Sequence, residues 1–215
     1  MISVVVGVGP GMGMSLARRF GPEGHVALVV RDEASGAGFV AELAGLGIEA
    51  SAYVADIGVE ASLRAAFGAI RAALGGPDLV VFNASVGAPG TPEGAATADL
   101  REAFEVGTLG AVVSFQETVP AMRERGSGTF LATGSGVALN PWPGGTPITL
   151  AKAALRAFVL AAARDLEGTG VHVATVTVDG VLGGPGFEPD TVAERFWELA
   201  HQAPDAWTAE IVHRG

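Results

Sequence analysis

Three glycines, Gly7, Gly11 and Gly13, stand at GxxxGxG spacing in VVVGVGPGMGMSLARRF, the stretch from Val4 to Phe20. Backbone without side chains, at the mouth of a helix, lets a phosphate approach the helix's first amides, here those of Met12 and Gly13, where the dipole is positive. A dinucleotide pyrophosphate is the ligand this predicts. The alternative fingerprint GxGxxG does not occur: counted from Gly7, Gly9 or Gly11, its last place falls on Met12, Met14 or Leu16. A plain tight turn between strand and helix is the competing reading in a chain with 32 glycines. Other groups able to do chemistry recur at the ends of apolar runs or on a helical pattern: Asp56 in YVADIG, Asn83 in LVVFNAS, Ser135 in GTFLATGSGVAL, Lys152 in ITLAKAALRAF and Asp179 in TVTVDGVLG.

Seven short β-branched runs must position these groups: Ile2 to Val8, His25 to Val30, Glu49 to Val54, Leu79 to Phe82, Thr129 to Thr133, Val171 to Val178 and Thr208 to Val212. Helical patterns alternate with them near Met12 to Phe20, Ala34 to Leu46, Val59 to Leu74, Thr97 to Met122, Ile148 to Leu166 and Asp190 to Ala203. Such alternation predicts βαβ units, hence a Rossmann-type α/β fold with a doubly wound parallel sheet of about seven strands and helices on both faces. The chain reads as one domain over residues 1–215, without repeat or linker. Three Gly/Pro-rich stretches, Ser85 to Gly94, Asn140 to Pro147 and Gly180 to Pro189, follow strands closely. Ligands in doubly wound sheets bind outside the strands' carboxyl ends, so these loops are expected to wall a site.

Bulk composition narrows the partners. With 215 residues and 49% hydrophobic content, the chain can bury one substantial core. A formal charge of −10 and a pI near 4.8 argue against a sequence-independent grip on nucleic acid or an anionic membrane. Small molecules and copies of the chain are the expected partners. There is no cysteine, which excludes disulfides and thiolate metal sites and matches a cytoplasmic protein. The apolar start, Met1 to Val8, lacks a basic leader and is too short to span a bilayer, so it reads as a first strand.

Taken in order, the GxxxGxG turn, Asp56 and Asn83 resemble the cofactor-binding half of the short-chain dehydrogenase/reductase family. The resemblance implies that Asp56 hydrogen-bonds the adenine ring and that Asn83 steadies the central sheet. A solvated helix cap is the plainer role for Asp56. The family's NNAG motif reads Phe82, Asn83, Ala84, Ser85 here. In NAD-selective relatives an acidic residue ends the second strand; here Val30 ends it and Arg31 follows, able to pair with a 2′-phosphate. NADP(H) is therefore favoured over NAD(H), with a solvated loop charge as the other reading of Arg31 and an acidic neighbour in Asp32.

The resemblance extends into the family's catalytic half with two departures. Ser135 matches the catalytic serine and Lys152 the lysine of YxxxK, which holds the nicotinamide ribose, yet the tyrosine position is Ile148. The separation of thirteen residues from Ser135 supports that register, and the only tyrosine, Tyr53, lies in the third strand beside Asp56. The family's relay asparagine is matched by Gly107. A positioned general acid contributes about 100- to 10,000-fold, so binding is expected to survive better than turnover. Asp179, where relatives carry proline, is a candidate substitute donor if burial keeps it protonated, or else a loop cap. For Ser135 and Lys152 the plain alternative is a strand-end serine and a helix-surface lysine.

These readings imply an oxidoreductase that transfers hydride between NADP(H) and a carbonyl or alcohol, with weak or nonstandard proton donation. The alternative is a catalytically silent cofactor-binding sensor or interaction module. Only about ten residues, GVLGGPGFEP, occupy the family's lid position, which predicts an open pocket with Trp142, Phe187 and Val86 at its mouth; each could instead pack its loop onto the domain. The helix from Ile148 is apolar around much of its circumference, and in related proteins such helices pair across a two-fold axis, so a homodimer or homotetramer is expected.

Overall fold

The computed structural model describes all residues, 1–215, and its centre is one seven-stranded parallel sheet in the order β3-β2-β1-β4-β5-β6-β7. The strands are β1 (Ile2–Val6), β2 (His25–Val30), β3 (Ala50–Val54), β4 (Leu79–Phe82), β5 (Gly128–Ser135), β6 (Val171–Val178) and β7 (Glu210–His213). Seven helices connect them: α1 (Met12–Phe20), α2 (Glu33–Gly45), α3 (Glu60–Leu74), α4 (Thr97–Phe104), α5 (Gly110–Arg125), α6 (Thr146–Asp165) and α7 (Pro189–Ala200).

The pleat divides the core in two. Val4, Val6, Ala27, Val29, Val80, Phe82, Phe130 and Ala132 face one way and pack with Leu63 and Phe67 of α3, Met122 of α5 and Leu155 and Val159 of α6. Val5, Val26, Leu28, Val30, Val81, Leu131, Ala174 and Val176 face the other way, against Leu16 and Phe20 of α1, Leu43 of α2 and Phe196 of α7. Strands buried on both faces are why the runs read as continuous valine and leucine rather than alternating with polar residues. By length and apolar composition α6 alone could cross a membrane. Its Ala151, Lys152, Leu155 and Val159 are buried in the fold, as in the core helix of a globular protein.

Several boundaries move from the sequence expectation. β1 stops at Val6 rather than Val8, because Gly7 adopts φ +85° and turns the chain toward α1. β5 runs on to Ser135, paired with β6 along its length up to Ser135 opposite Val178. The single helix expected from Thr97 to Met122 is two helices joined by a π-helical turn, Glu105–Leu109. One widened turn hardly disturbs the spacing of apolar residues, so periodicity does not register it.

The chain winds outward from β1 to β3, then returns to place β4 on the other side of β1. The carboxyl ends of β1 and β4 therefore diverge in direction of connection, the topological crevice where such sheets hold ligands.

Candidate active site

A cleft of about 570 Å³ opens along these strand ends. After β1 it is lined by Gly7, Val8, Gly9, Gly11, Met12 and Gly13; after β2 by Arg31; after β3 by Ala55, Asp56 and Ile57. The far part takes Asn83 to Val86 after β4, Glu102 and Val106 from α4 and the π turn, Thr133 to Ser135 of β5, Ile148 and Lys152 of α6, and Val178, Gly180 and Leu182. With strands about 4.8 Å apart, four spacings separate the ends of β3 and β5, roughly 19 Å. The cleft is thus long, with Asp56 toward one end and Ser135 and Lys152 toward the other.

At the β1 turn, backbone crowding explains two glycines. A Cβ on Gly7 would lie 2.6 Å from the Cα of Ala84, and one on Gly13 would lie 2.7 Å from the Cα of Val8. Gly9 and Gly11 border open space instead. Gly11 caps α1 without any side-chain hydrogen bond, so the helix's first turn presents free amides to the cleft. Unsatisfied donors at a helix N-terminus, flanked by room for a ligand, fit a pyrophosphate.

Asn83 joins this turn to the rest of the site. Its backbone N–H donates to the Val6 carbonyl at 2.8 Å, and its Nδ2 to the Gly7 carbonyl at 2.9 Å. Its Oδ1 accepts from the Thr133 hydroxyl at 2.9 Å, and the Thr133 carbonyl accepts from Lys152 Nζ at 2.7 Å. Lys152, 4% exposed, has no acidic partner; burial alone lowers its pKa from 10.5 to about 8. Ser135 Oγ accepts a long bond, 3.4 Å, from Val137 N–H, which leaves its own proton uncommitted. Thr108 of the π turn donates to the Ala151 carbonyl at 2.9 Å and ties that turn to α6.

At the other end, Arg31 is exposed and enters no ion pair or hydrogen bond within the chain. Its acidic neighbour is occupied: Asp32 caps α2, accepting from Ser35 N–H at 2.8 Å and Ser35 Oγ at 2.9 Å, and these bonds hold its carboxyl below the usual range. Asp56 Oδ1 accepts from Gly58 N–H at 3.0 Å, the turn-capping geometry, while the residue also lines the cleft.

Three residues placed at the site from sequence lie elsewhere. Asp179 is absent from the cleft lining; its carboxylate sits 3.4 Å from Arg214 Nε. Trp142, 55% exposed, packs over Gly144 and Gly145, and Phe187 lies against Gly180 and edge-on to His213. Val86 does line the cleft. Tyr53 is partly buried against the core and is no part of the lining. His172 is buried, stacked on Trp207 at 4.8 Å with Nε2 3.0 Å from the Thr208 carbonyl, a structural placement. Thr133 holds Asn83 through its hydroxyl and Lys152 through its carbonyl, a group present in every residue and so without a mark in the sequence. Lys152 is the only lysine in the chain.

The sequence model of the family described as short chain dehydrogenase matches residues 1–184. The NADP-dependent 3-hydroxy acid dehydrogenase YdfG of Escherichia coli K12 is 26% identical over 198 residues, covering 87% of this chain and 75% of that protein. The 7alpha-hydroxysteroid dehydrogenase of the same organism is 30% identical over 181 residues, 84% of this chain and 71% of that one. Among solved structures, a metagenomic short-chain oxidoreductase in complex with NADP superposes with a TM-score of 0.89 at 27% identity, covering 98% of this chain and 95% of the other. A short-chain dehydrogenase from Rhodopseudomonas palustris gives 0.88 at 27% identity, covering 100% and 98%.

Proposed function

Because this chain belongs to the short chain dehydrogenase family, we propose that it binds NADP(H) along the strand ends and reduces an activated carbonyl with a proton donor other than the family's tyrosine. One observation carries the reading: a single cleft runs from the uncapped first turn of α1 to Ser135 and Lys152. Bound there, the reduced nicotinamide would supply hydride. The free amides of Met12 and Gly13 receive the pyrophosphate, Asp56 the adenine, and Asn83 keeps the β1 turn fixed to β5. Ser135 has a hydroxyl free to hydrogen-bond a carbonyl oxygen. By its four-residue spacing from Lys152, Ile148 holds the tyrosine's place with hydrocarbon.

NADP(H) is preferred to NAD(H) because Arg31 is an unpaired cation at the cleft and Asp32 is committed to capping α2. YdfG, named as NADP-dependent, and the metagenomic relative solved with NADP support the same choice. A charge-assisted bond is worth about 1.5–3 kcal/mol, so Arg31→Ala weakens NADPH binding by roughly 10- to 150-fold and leaves NADH binding almost unchanged. Fluorescence titration of both cofactors checks this; equal losses would assign Arg31 to the surface.

NADPH titration followed by a screen of aldehydes, ketones and quinones for NADPH oxidation tests the proposal as a whole. Failure to bind either cofactor overturns it. A catalytically silent, cofactor-regulated module is the second reading, favoured by Ile148 and by Gly107, which offers a relay water no side-chain carbonyl. Binding without turnover of any carbonyl class would decide for that module.

We further propose that the working form is a homodimer or a homotetramer. Leu150, Ala153, Ala157 and Ala161 make an exposed stripe of apolar residues along α6, opposite its buried face. Leu109, 45% exposed, adds to the apolar surface at the start of α5. Leu150→Glu is expected to dissociate the assembly in sedimentation velocity; a monomeric wild-type protein at micromolar concentration overturns the expectation.

A further inference from the structure

The inner end of the cleft has lost a phenol and kept an amine. Hydride addition to a carbonyl carbon leaves a negative oxygen that must take up a proton. Few groups there can release one. The Thr133 hydroxyl is spent on Asn83, Asp179 is salt-bridged outside the lining, and the Ser135 hydroxyl is far too weak an acid at neutral pH.

Lys152 differs from all of these. An ammonium has three donors, and the chain engages one, through the Thr133 carbonyl at 2.7 Å. One helical turn earlier, Ile148 puts no donor or acceptor of its own on the wall it shares with the amine. Twelve arginines supply every other permanent side-chain cation in this sequence, whereas its single lysine is buried at the cleft. Arginine does not release its proton in a protein, but a desolvated lysine does.

We propose that the Lys152 ammonium itself gives the proton to the substrate's carbonyl oxygen. The step balances: hydride from the reduced nicotinamide forms the C–H bond, the carbonyl π pair moves to oxygen, Nζ–H breaks as O–H forms, and the neutral amine regains a proton from solvent. In the reverse direction the neutral amine accepts the alcohol proton. This inference rests on the NADP(H) reading above, and it narrows the substrate class to carbonyls activated enough for an ammonium acid.

The surroundings leave this proton under local control. β5 and the turn Gly136–Ala138 carry no ionisable side chain; β6 carries His172 near its opposite end, and Asp179, just after β6, packs against Gly136 and pairs with Arg214 at 3.4 Å. From α4 and the π turn come Asp99, Arg101, Glu102 and Glu105, of which Glu102 alone lines the cleft. On α6, Arg156 is held by Glu210 of β7 at 2.6 Å. Burial, with none of these charges, sets the Lys152 pKa near 8, close to the value an acid catalyst needs at neutral pH.

Because the chain has one lysine, protein labelled with [ε-15N]lysine gives one side-chain signal, whose titration can be followed without cofactor. A midpoint near 8 is expected; a midpoint in the ordinary range near 10.5 overturns the proposal. In the reduction direction kcat/KM should fall tenfold per pH unit above that midpoint. Lys152→Arg keeps the cation and is expected to lose at least 100-fold in kcat at saturating NADPH, with the pH break gone. If the arginine variant misfolds, the wild-type 15N midpoint and the pH break must still coincide. An unchanged rate in Lys152→Arg, a pH break unrelated to the 15N midpoint, or a carbonyl adduct trapped on Lys152 by borohydride would each sink it. Absence of NADPH binding, by contrast, defeats the cofactor reading itself, while binding with no turnover of any carbonyl defeats the proton-donor role.

Discussion

Replacing Ile148 by tyrosine raises the turnover of an activated carbonyl, by less than the about 100- to 10,000-fold that a positioned general acid adds to a site without one, because Lys152 already supplies a proton there. Residues 148 and 152 lie on one face of α6, a turn apart, and both line the cleft. A phenol there stands beside the Lys152 cation, which lowers its pKa from about 10 toward the working pH. Room for the ring lies on the cleft side only, since a Cβ on Gly87 would come 3.2 Å from the Cβ of Ile148. Some overpacking, about 1–3 kcal/mol, is the expected cost in stability. Thermal melting together with kcat for NADPH-dependent reduction measures both effects. A folded Ile148→Tyr protein with no gain would mean that 148 does not hold the tyrosine's place.

Removing the buried amine should stabilise the fold. Lys152 has its pKa lowered from 10.5 to about 8, so charging it in the native state costs, at about 1.4 kcal/mol per unit, roughly 3 kcal/mol. Lys152→Met removes that cost but leaves the Thr133 carbonyl without its donor, about 1 kcal/mol, for a net gain of about 2 kcal/mol at pH 7. The pH dependence has a definite sign. Below pH 8 both native and unfolded chains hold the proton and the penalty is complete. Between 8 and 10.5 the unfolded chain binds more protons, so wild-type stability rises with pH. Tyr53 acts oppositely above its ordinary value of 10.0, because burial raises its pKa, so pH 7.5 to 9.5 is the window for measurement. Urea unfolding across it should show a rising wild-type curve and a flat Lys152→Met curve; parallel curves would show that Lys152 is not the group titrating.

How much of this was readable from sequence depended on what each residue needs. Gly7 and Gly13 were legible because a Cβ at either position would collide with backbone, a demand that leaves glycine in the sequence. Strands β1, β2 and β4 were legible because burial on both faces makes unbroken valine-rich runs. Aromatic residues in loops carry no such direction: Trp142 folds back on Gly144 and Gly145, and Phe187 on Gly180, instead of facing the cleft. Asp179 was misplaced because its partner, Arg214, is distant in sequence. Asp32 carried a local signal, with Ser35 three residues on, which marks a helix cap rather than a ribose contact. The π turn at Glu105–Leu109 and the carbonyl of Thr133 left no trace in residue type at all.

The connection from β6 to α7 contributes Gly180 and Leu182 to the cleft, while Val181 beside them is 80% exposed. With so short a flap, catalysis requires no large segment to swing shut before chemistry and reopen after it. Any effect of added viscogen on turnover should therefore report release of product or cofactor rather than closure of a segment.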